Sequence, residues 1–220
     1  MDKLDNINDI CNNFKNLKIQ NKKKSYGGGK NTNFNGLNYE KITSLENKFT
    51  ILDTYNFYTL IKFNIEYDPF YILYDIIEEK LFKKFNKFND LTFIYTKQAN
   101  FFKYINTKIQ VDKKNIAHGC KKPDECFINE NKKLIFWIEK KFQNKSGSVC
   151  EKIQTVMFKK EHLNEIIYNY KIIYILCLSD WYKTNTKVEL KYLKKYNIPF
   201  FWGSDINYKN NIINFIINYK

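Results

Sequence analysis

The segment KKPDECFINENKKLIFWIEKKFQ, residues 121–143, sets acids and lysines at both ends of an apolar run. Two of its carboxylates, Asp124 and Glu139, and the lysine at 141 are the residue types needed for metal-assisted attack on a phosphodiester. Carboxylate oxygens suit a hard divalent cation such as Mg2+, which keeps several of its waters. A metal-bound water loses a proton more readily, and the cation offsets charge growing on a phosphoryl oxygen. A lysine beside them can orient the attacking water or neutralise charge in the transition state. Without the cation, the two acids would repel a phosphate.

The acid-x-Lys triplet alone decides nothing in a chain this rich in lysine. It occurs six times, at Glu46, Glu78, Asp112, Glu130, Glu139 and Glu189. The triplets at 46, 78 and 189 read as exposed helix surface, and those at 112 and 130 lie in polar turns. Only Glu139 continues an apolar strand. Strand alternation puts Ile135, Trp137, Glu139, Lys141 and Gln143 on one face, and Leu134, Phe136, Ile138, Lys140 and Phe142 on the other. Lys140 is therefore expected to lay its stem on apolar surface with its ammonium in solvent. A turn at 130–133 back to 126–129 would carry Asp124 toward the level of Glu139. From spacing alone the alternative stands equally: Glu139 and Lys141 as solvent-facing residues at a strand end, and Asp124 as a turn residue after Pro123.

The elements that must position these residues follow from periodicity. Apolar positions in 1–20 recur at helical spacing, and residues 21–36, NKKKSYGGGKNTNFNG, read as a polar, glycine-rich loop. Residues 37–49 fit a helix with Glu40 in its first turn. Asp68-Pro69 caps a long amphipathic helix to about 88. From 91 the texture turns β-rich: LTFIY, 126–129, LIFWIEKKFQ, KIIYILCLS and IPFFWG. Helices are expected from the capping box at Ser148 to about 168, over about 186–195, and from about 210. The order predicts an α/β fold, a central mixed sheet flanked by helices, with a mainly helical region over 1–90 and the catalytic core over 91–220, together one compact domain.

Composition sets the partners. The 220 residues carry a formal charge of +14, which suits a polyanion. All 37 basic residues are lysine, a bias that AT-rich coding also produces, so basicity alone does not decide for nucleic acid. The five cysteines have no CxxC spacing, so neither a disulfide framework nor a zinc ribbon is indicated. No secretory signal or membrane span is read, and a soluble, intracellular protein is expected. His118 and His162 are the only histidines, and neither has a Ser or Cys partner in sequence for a hydrolase triad.

Pro123-Asp124, then Glu139-x-Lys141-x-Gln143 on an apolar strand, then Gly147-Ser148 and Glu151-Lys152 opening a helix, resembles the PD-(D/E)XK nuclease superfamily. Within it the stretch is most similar to type II restriction endonucleases. The resemblance covers 91–205; residues 1–90 depart from the pattern, apart from GLNYE at 36–40. It implies a Mg2+-dependent endonuclease that hydrolyses double-stranded DNA, with Mn2+ able to substitute. It assigns Asp124 and Glu139 to the metal, Lys141 to catalysis, and Glu40 and Gln143 to support. Lys97, Gln98, Lys145 and Ser146 are the candidate DNA contacts. A two-fold homodimer on a palindromic target is the simplest assembly for cutting both strands, and a separately encoded DNA methyltransferase is the companion such an enzyme implies. Two alternatives remain: a structure-specific repair, recombination or mobile-element nuclease of the same fold, and a non-catalytic basic nucleic-acid-binding protein.

Overall fold

The computed structural model describes residues 30–64, 92–145 and 149–219. Seven strands form one sheet in the order in which they occur in the chain: β1 (Phe49–Thr54), β2 (Thr59–Phe63), β3 (Thr92–Thr96), β4 (Glu125–Asn129), β5 (Leu134–Lys141), β6 (Lys171–Leu178) and β7 (Phe200–Trp202). The first four pair antiparallel, and β6 pairs parallel with β7, so the sheet is mixed. The helices are α1 (Lys30–Ile42), α2 (Asn100–Ile105), α3 (Val149–Gln154), α4 (Val156–Ile166), α5 (Trp181–Asn185), α6 (Lys187–Lys195) and α7 (Tyr208–Asn218). The chain is α/β, a mixed sheet flanked by helices, as expected. Burial explains the strand texture. From Phe93 to Thr96 in β3, throughout β4, and from Ile172 to Leu178 in β6 every residue is buried, so these strands read as apolar runs and not as alternation. Edge strand β1 is exposed beyond Phe49 and is kinked by an irregularity between Ile51 and Asp53, which blunts it as a template for further pairing.

Contacts divide the chain into two units, one of residues 1–44, 138–157 and 174–212, the other of residues 45–137, 158–173 and 213–220. The second unit is built on aromatic rings. Phe63 meets Phe93 at 5.1 Å and Phe127 at 5.0 Å, and Tyr95 meets Phe127 at 5.2 Å. Helix α2 inserts Phe101 edge-on against Trp137, at 5.0 Å and 80°. These separations fall in the range favoured by the ring quadrupole. In the first unit, α1 buries Tyr39, whose hydroxyl lies 3.3 Å from Cys177 Sγ and whose ring packs 5.4 Å from Phe142. Gly203 permits that approach, because a Cβ there would fall 2.7 Å from Thr43 Cγ2 and 2.8 Å from Tyr39 Cζ. Burial pushes the Cys126 and Cys177 thiols up, so both stay protonated.

Several local expectations are corrected. The helix expected over 37–49 spans Lys30–Ile42, so the polar stretch from Lys30 to Gly36 is helical rather than loop, and Phe49 opens a strand. The β1–β2 hairpin was not anticipated, and it brings two strands from before residue 90 to pair with β3. Its Thr, Ile, Tyr and Phe content was a legible β signal. The single helix expected to 168 is broken at Thr155 into α3 and α4. There the Thr155 hydroxyl donates to the Lys152 carbonyl at 3.1 Å, competing with the helix ladder. The helices expected over 1–20 and 68–88, the loop up to 29 and the capping Ser148 lie outside the described residues. Among the described residues no helix is long and apolar enough to cross a membrane.

The turn at 130–133 is fastened by one carboxylate. Glu130 accepts hydrogen bonds from Tyr104, from Tyr170 at 2.9 and 3.0 Å, and from Lys133 at 2.9 Å. Burial raises this carboxyl, but the bonds from Tyr104, Lys133 and Tyr170 lower it by more, and it sits below the usual range. A depressed carboxyl stabilises the fold above its unfolded pKa, about 4.3, and that contribution is lost as pH falls through the lower folded value. Glu130→Gln should therefore be less stable than the wild type at pH 7, with the gap closing below pH about 4. Urea unfolding across that range checks it, and a gap independent of pH would contradict it.

Candidate active site on strand β5

Strand β5 is buried from Leu134 to Lys140 and half-buried at Lys141. Two formal charges therefore sit inside a core strand, Glu139 at 8% and Lys140 at 6% exposure. Buried charges need partners. Glu139 finds one two residues on, on its own face: Lys141 Nζ forms an ion pair with Glu139 Oε1. The alternation read from the sequence holds here, and it brings carboxylate and ammonium into contact.

Lys140 departs from expectation. Its ammonium does not reach solvent but donates to the Glu40 backbone carbonyl at 3.0 Å. Glu40 lies in the last turn of α1, not in the first turn of a helix as expected. Carbonyls there lack intrahelical partners and favour a cation. The face was assigned correctly; what the strand pattern does not reveal is that α1 covers it. Glu40 enters this arrangement through its main chain, and Thr43 bonds back to the Tyr39 carbonyl at 2.6 Å as the helix ends.

Beyond β5, Gln143 is held by its own loop. Its backbone N–H donates to Ser179 Oγ at 2.9 Å, the Ser179 hydroxyl returns a bond to the Gln143 carbonyl at 2.9 Å, and its side-chain amide donates to the Lys145 carbonyl. Ser179 N–H also donates to the Lys141 carbonyl at 3.1 Å. Ser179, at the end of β6, is thus a positioning residue that sequence reasoning missed; its signal was a lone hydroxyl closing an apolar strand. Lys145 is exposed, and Ser146 lies outside the described residues.

Asp124 belongs to the other unit. It is half-buried just before β4, and Gln98 Nε2 donates to its Oδ1 at 3.3 Å. Next to it Glu125 is 3% exposed and accepts the Leu45 N–H at 3.0 Å and the Tyr95 hydroxyl at 3.2 Å. Tyr95 also reaches Glu46 Oε1, at 3.1 Å, and Lys97 Nζ lies 2.7 Å from that same oxygen. Burial first, then the charges of Glu125 and Glu46, push the Tyr95 phenol far above its ordinary value, so it remains a donor. Glu46 was expected on a helix surface; it opens a 3-10 turn, Glu46–Lys48, and engages Lys97. Glu125 was missed, although an acid opening a buried strand mirrors Glu139 near the end of one. Among the described residues, no three His, Cys, Asp or Glu side chains form a metal-binding group.

No family model matches the chain, and neither a curated protein nor a solved structure matches it.

The Lys140 bond carries a stability consequence. Hydrogen bonds to charged groups contribute about 1.5–3 kcal/mol. Lys140→Met should lower the unfolding free energy by about that amount, read from denaturant midpoints at unchanged m-value. Unaltered stability would mean that the ammonium does not cap α1.

Proposed function

We propose that the protein is a Mg2+-dependent endonuclease acting on double-stranded DNA, most similar in its site to type II restriction enzymes. One observation carries the proposal: a carboxylate and an ammonium, Glu139 and Lys141, are paired on one face at the end of an otherwise apolar, buried strand. A purely structural strand has no need of a charge there, because an apolar residue would cost less.

The donors fit the cation. Asp124 and Glu139 offer only carboxylate oxygens, which suits an ion that keeps part of its water shell. When bound, Mg2+ supplies an activated water and offsets charge on the phosphoryl group. Glu139 binds the ion from β5, and Asp124 is the second carboxylate assigned to it. Lys141, now paired with Glu139, would release that carboxylate to the cation and turn its ammonium to the attacking water or the developing charge. Gln143, fixed by Ser179, supports the end of the strand, and the Glu40 carbonyl supports Lys140 from the other face. DNA is the polyanion that the +14 charge suits, with Lys97 and Lys145 as exposed candidates for phosphate. Cutting both strands calls for two such sites, hence a homodimer.

The test is cleavage of supercoiled plasmid in Mg2+ by the wild type and by Asp124→Ala, Glu139→Ala and Lys141→Ala. Each single variant should lose cleavage by at least about 100-fold while keeping the wild-type circular dichroism spectrum. In Ca2+ the wild type should bind DNA without cutting, with affinity falling steeply as salt rises. Discrete fragments would indicate sequence-specific cutting, and a smear a structure-directed nuclease. Salt-dependent binding with no cleavage in either Mg2+ or Mn2+ would sink the enzyme proposal and leave a binding protein.

A further inference from the structure

The turn between β3 and α2 holds a residue in an unusual backbone state. Gln98 has φ +53°, a region that side chains other than glycine, asparagine and aspartate seldom adopt. Glycine would sit there without strain. What glycine lacks is the side chain, and that side chain is engaged: Nε2 donates to Asp124 Oδ1 at 3.3 Å. The backbone of the same residue donates to the Pro123 carbonyl at 2.8 Å. Gln98 therefore grips two consecutive residues, Pro123 through its main chain and Asp124 through its amide. The turn itself is anchored by Phe101 and Phe102, buried at 0% and 4% exposure.

The chemistry of the donor matters as much as its position. A primary amide orients a carboxylate without adding charge, so Asp124 keeps its full anionic character toward a cation. A lysine in that place would neutralise it. One is available next door, yet Lys97 is turned to Glu46 Oε1 at 2.7 Å. The neutral donor is directed to Asp124 and the cationic one elsewhere.

We propose that Gln98 is a positioning residue that holds the Asp124 carboxylate oriented and uncompensated for a hard divalent cation. This revises its expected role as a DNA contact, and it rests on the assignment of Asp124 to the metal made above. Groups that orient metal-binding carboxylates typically change metal affinity by about 10- to 100-fold when removed.

The test titrates Mn2+ alone into the full-length protein, following free Mn2+ by electron paramagnetic resonance, with thermal unfolding in parallel. Gln98→Gly removes the amide and relieves the backbone. It should weaken Mn2+ binding by about tenfold while the thermal midpoint stays the same or rises. Saturating Mg2+ should restore its single-turnover cleavage rate to near that of the wild type, because a misplaced ligand is overcome by more metal. Wild-type Mn2+ affinity in Gln98→Gly, alongside lost binding in Asp124→Ala, would overturn the role of Gln98 and leave Asp124 as a ligand. A lowered thermal midpoint with unchanged metal affinity would make Gln98 structural, and would overturn it too. Undiminished Mn2+ binding in Asp124→Ala would overturn the assignment of Asp124 itself, and this proposal with it.

Discussion

Strand β5 carries charge where a core strand ordinarily carries none, and the surrounding architecture answers that constraint. Taking a carboxylate or an ammonium out of water costs several kcal/mol unless partners replace the lost hydration. Glu139 is answered within the strand, by Lys141 on the same face. Lys140 is answered by α1, whose final turn presents the Glu40 carbonyl. Ser179 then fixes the strand end through bonds to Lys141 and Gln143. Helix α1, β5 and the end of β6 are tied together by polar bonds that two buried charges require. Gly203 leaves the room that α1 needs to sit where it does.

The other carboxylate assigned to the metal is held by different means. Around Asp124 the donors are neutral: an amide from Gln98 and, for its neighbour Glu125, a backbone N–H and a phenol. A phenol whose pKa is driven far upward stays a donor at any physiological pH, so this side of the structure supplies orientation without charge compensation. Glu139 is the opposite case, a carboxylate with a cation already in contact. The two acids thus differ in how readily a divalent ion can claim them. Asp124 presents uncompensated charge, whereas Glu139 must first give up Lys141. That difference makes Lys141 both a competitor for the site and, once displaced, a free ammonium beside the reacting group.

Much of the sheet was legible because buried strands announce themselves as apolar runs. The strands LTFIY, LIFWIEKK and KIIYILCL were read at nearly their true bounds, and alternation set Glu139 and Lys141 on one face. Alternation gives the face but not what covers it, which is why the surroundings of Lys140 were missed. Helix α1 was misplaced because its first half is asparagine-rich and carries no apolar period; tertiary contacts through Tyr39, not propensity, hold it. The β1–β2 hairpin escaped because its outer strand is exposed on both faces and shows no alternation to read. Gln98 could not have been found at all: neither its positive φ nor its reach across to Asp124, 26 residues on, leaves a trace in local sequence.

The central claim is that the Glu139 carboxylate is the seat of a divalent cation for which Lys141 now stands in. Calorimetric titration of Mn2+ into the wild type, Glu139→Gln and Lys141→Met tests it without recourse to cleavage. Glu139→Gln should abolish the site or weaken it at least about tenfold, whereas Lys141→Met, freed of the competing ammonium, should bind Mn2+ more tightly than the wild type. Equal affinities in all three proteins would mean that the pair is a structural ion pair and no metal site.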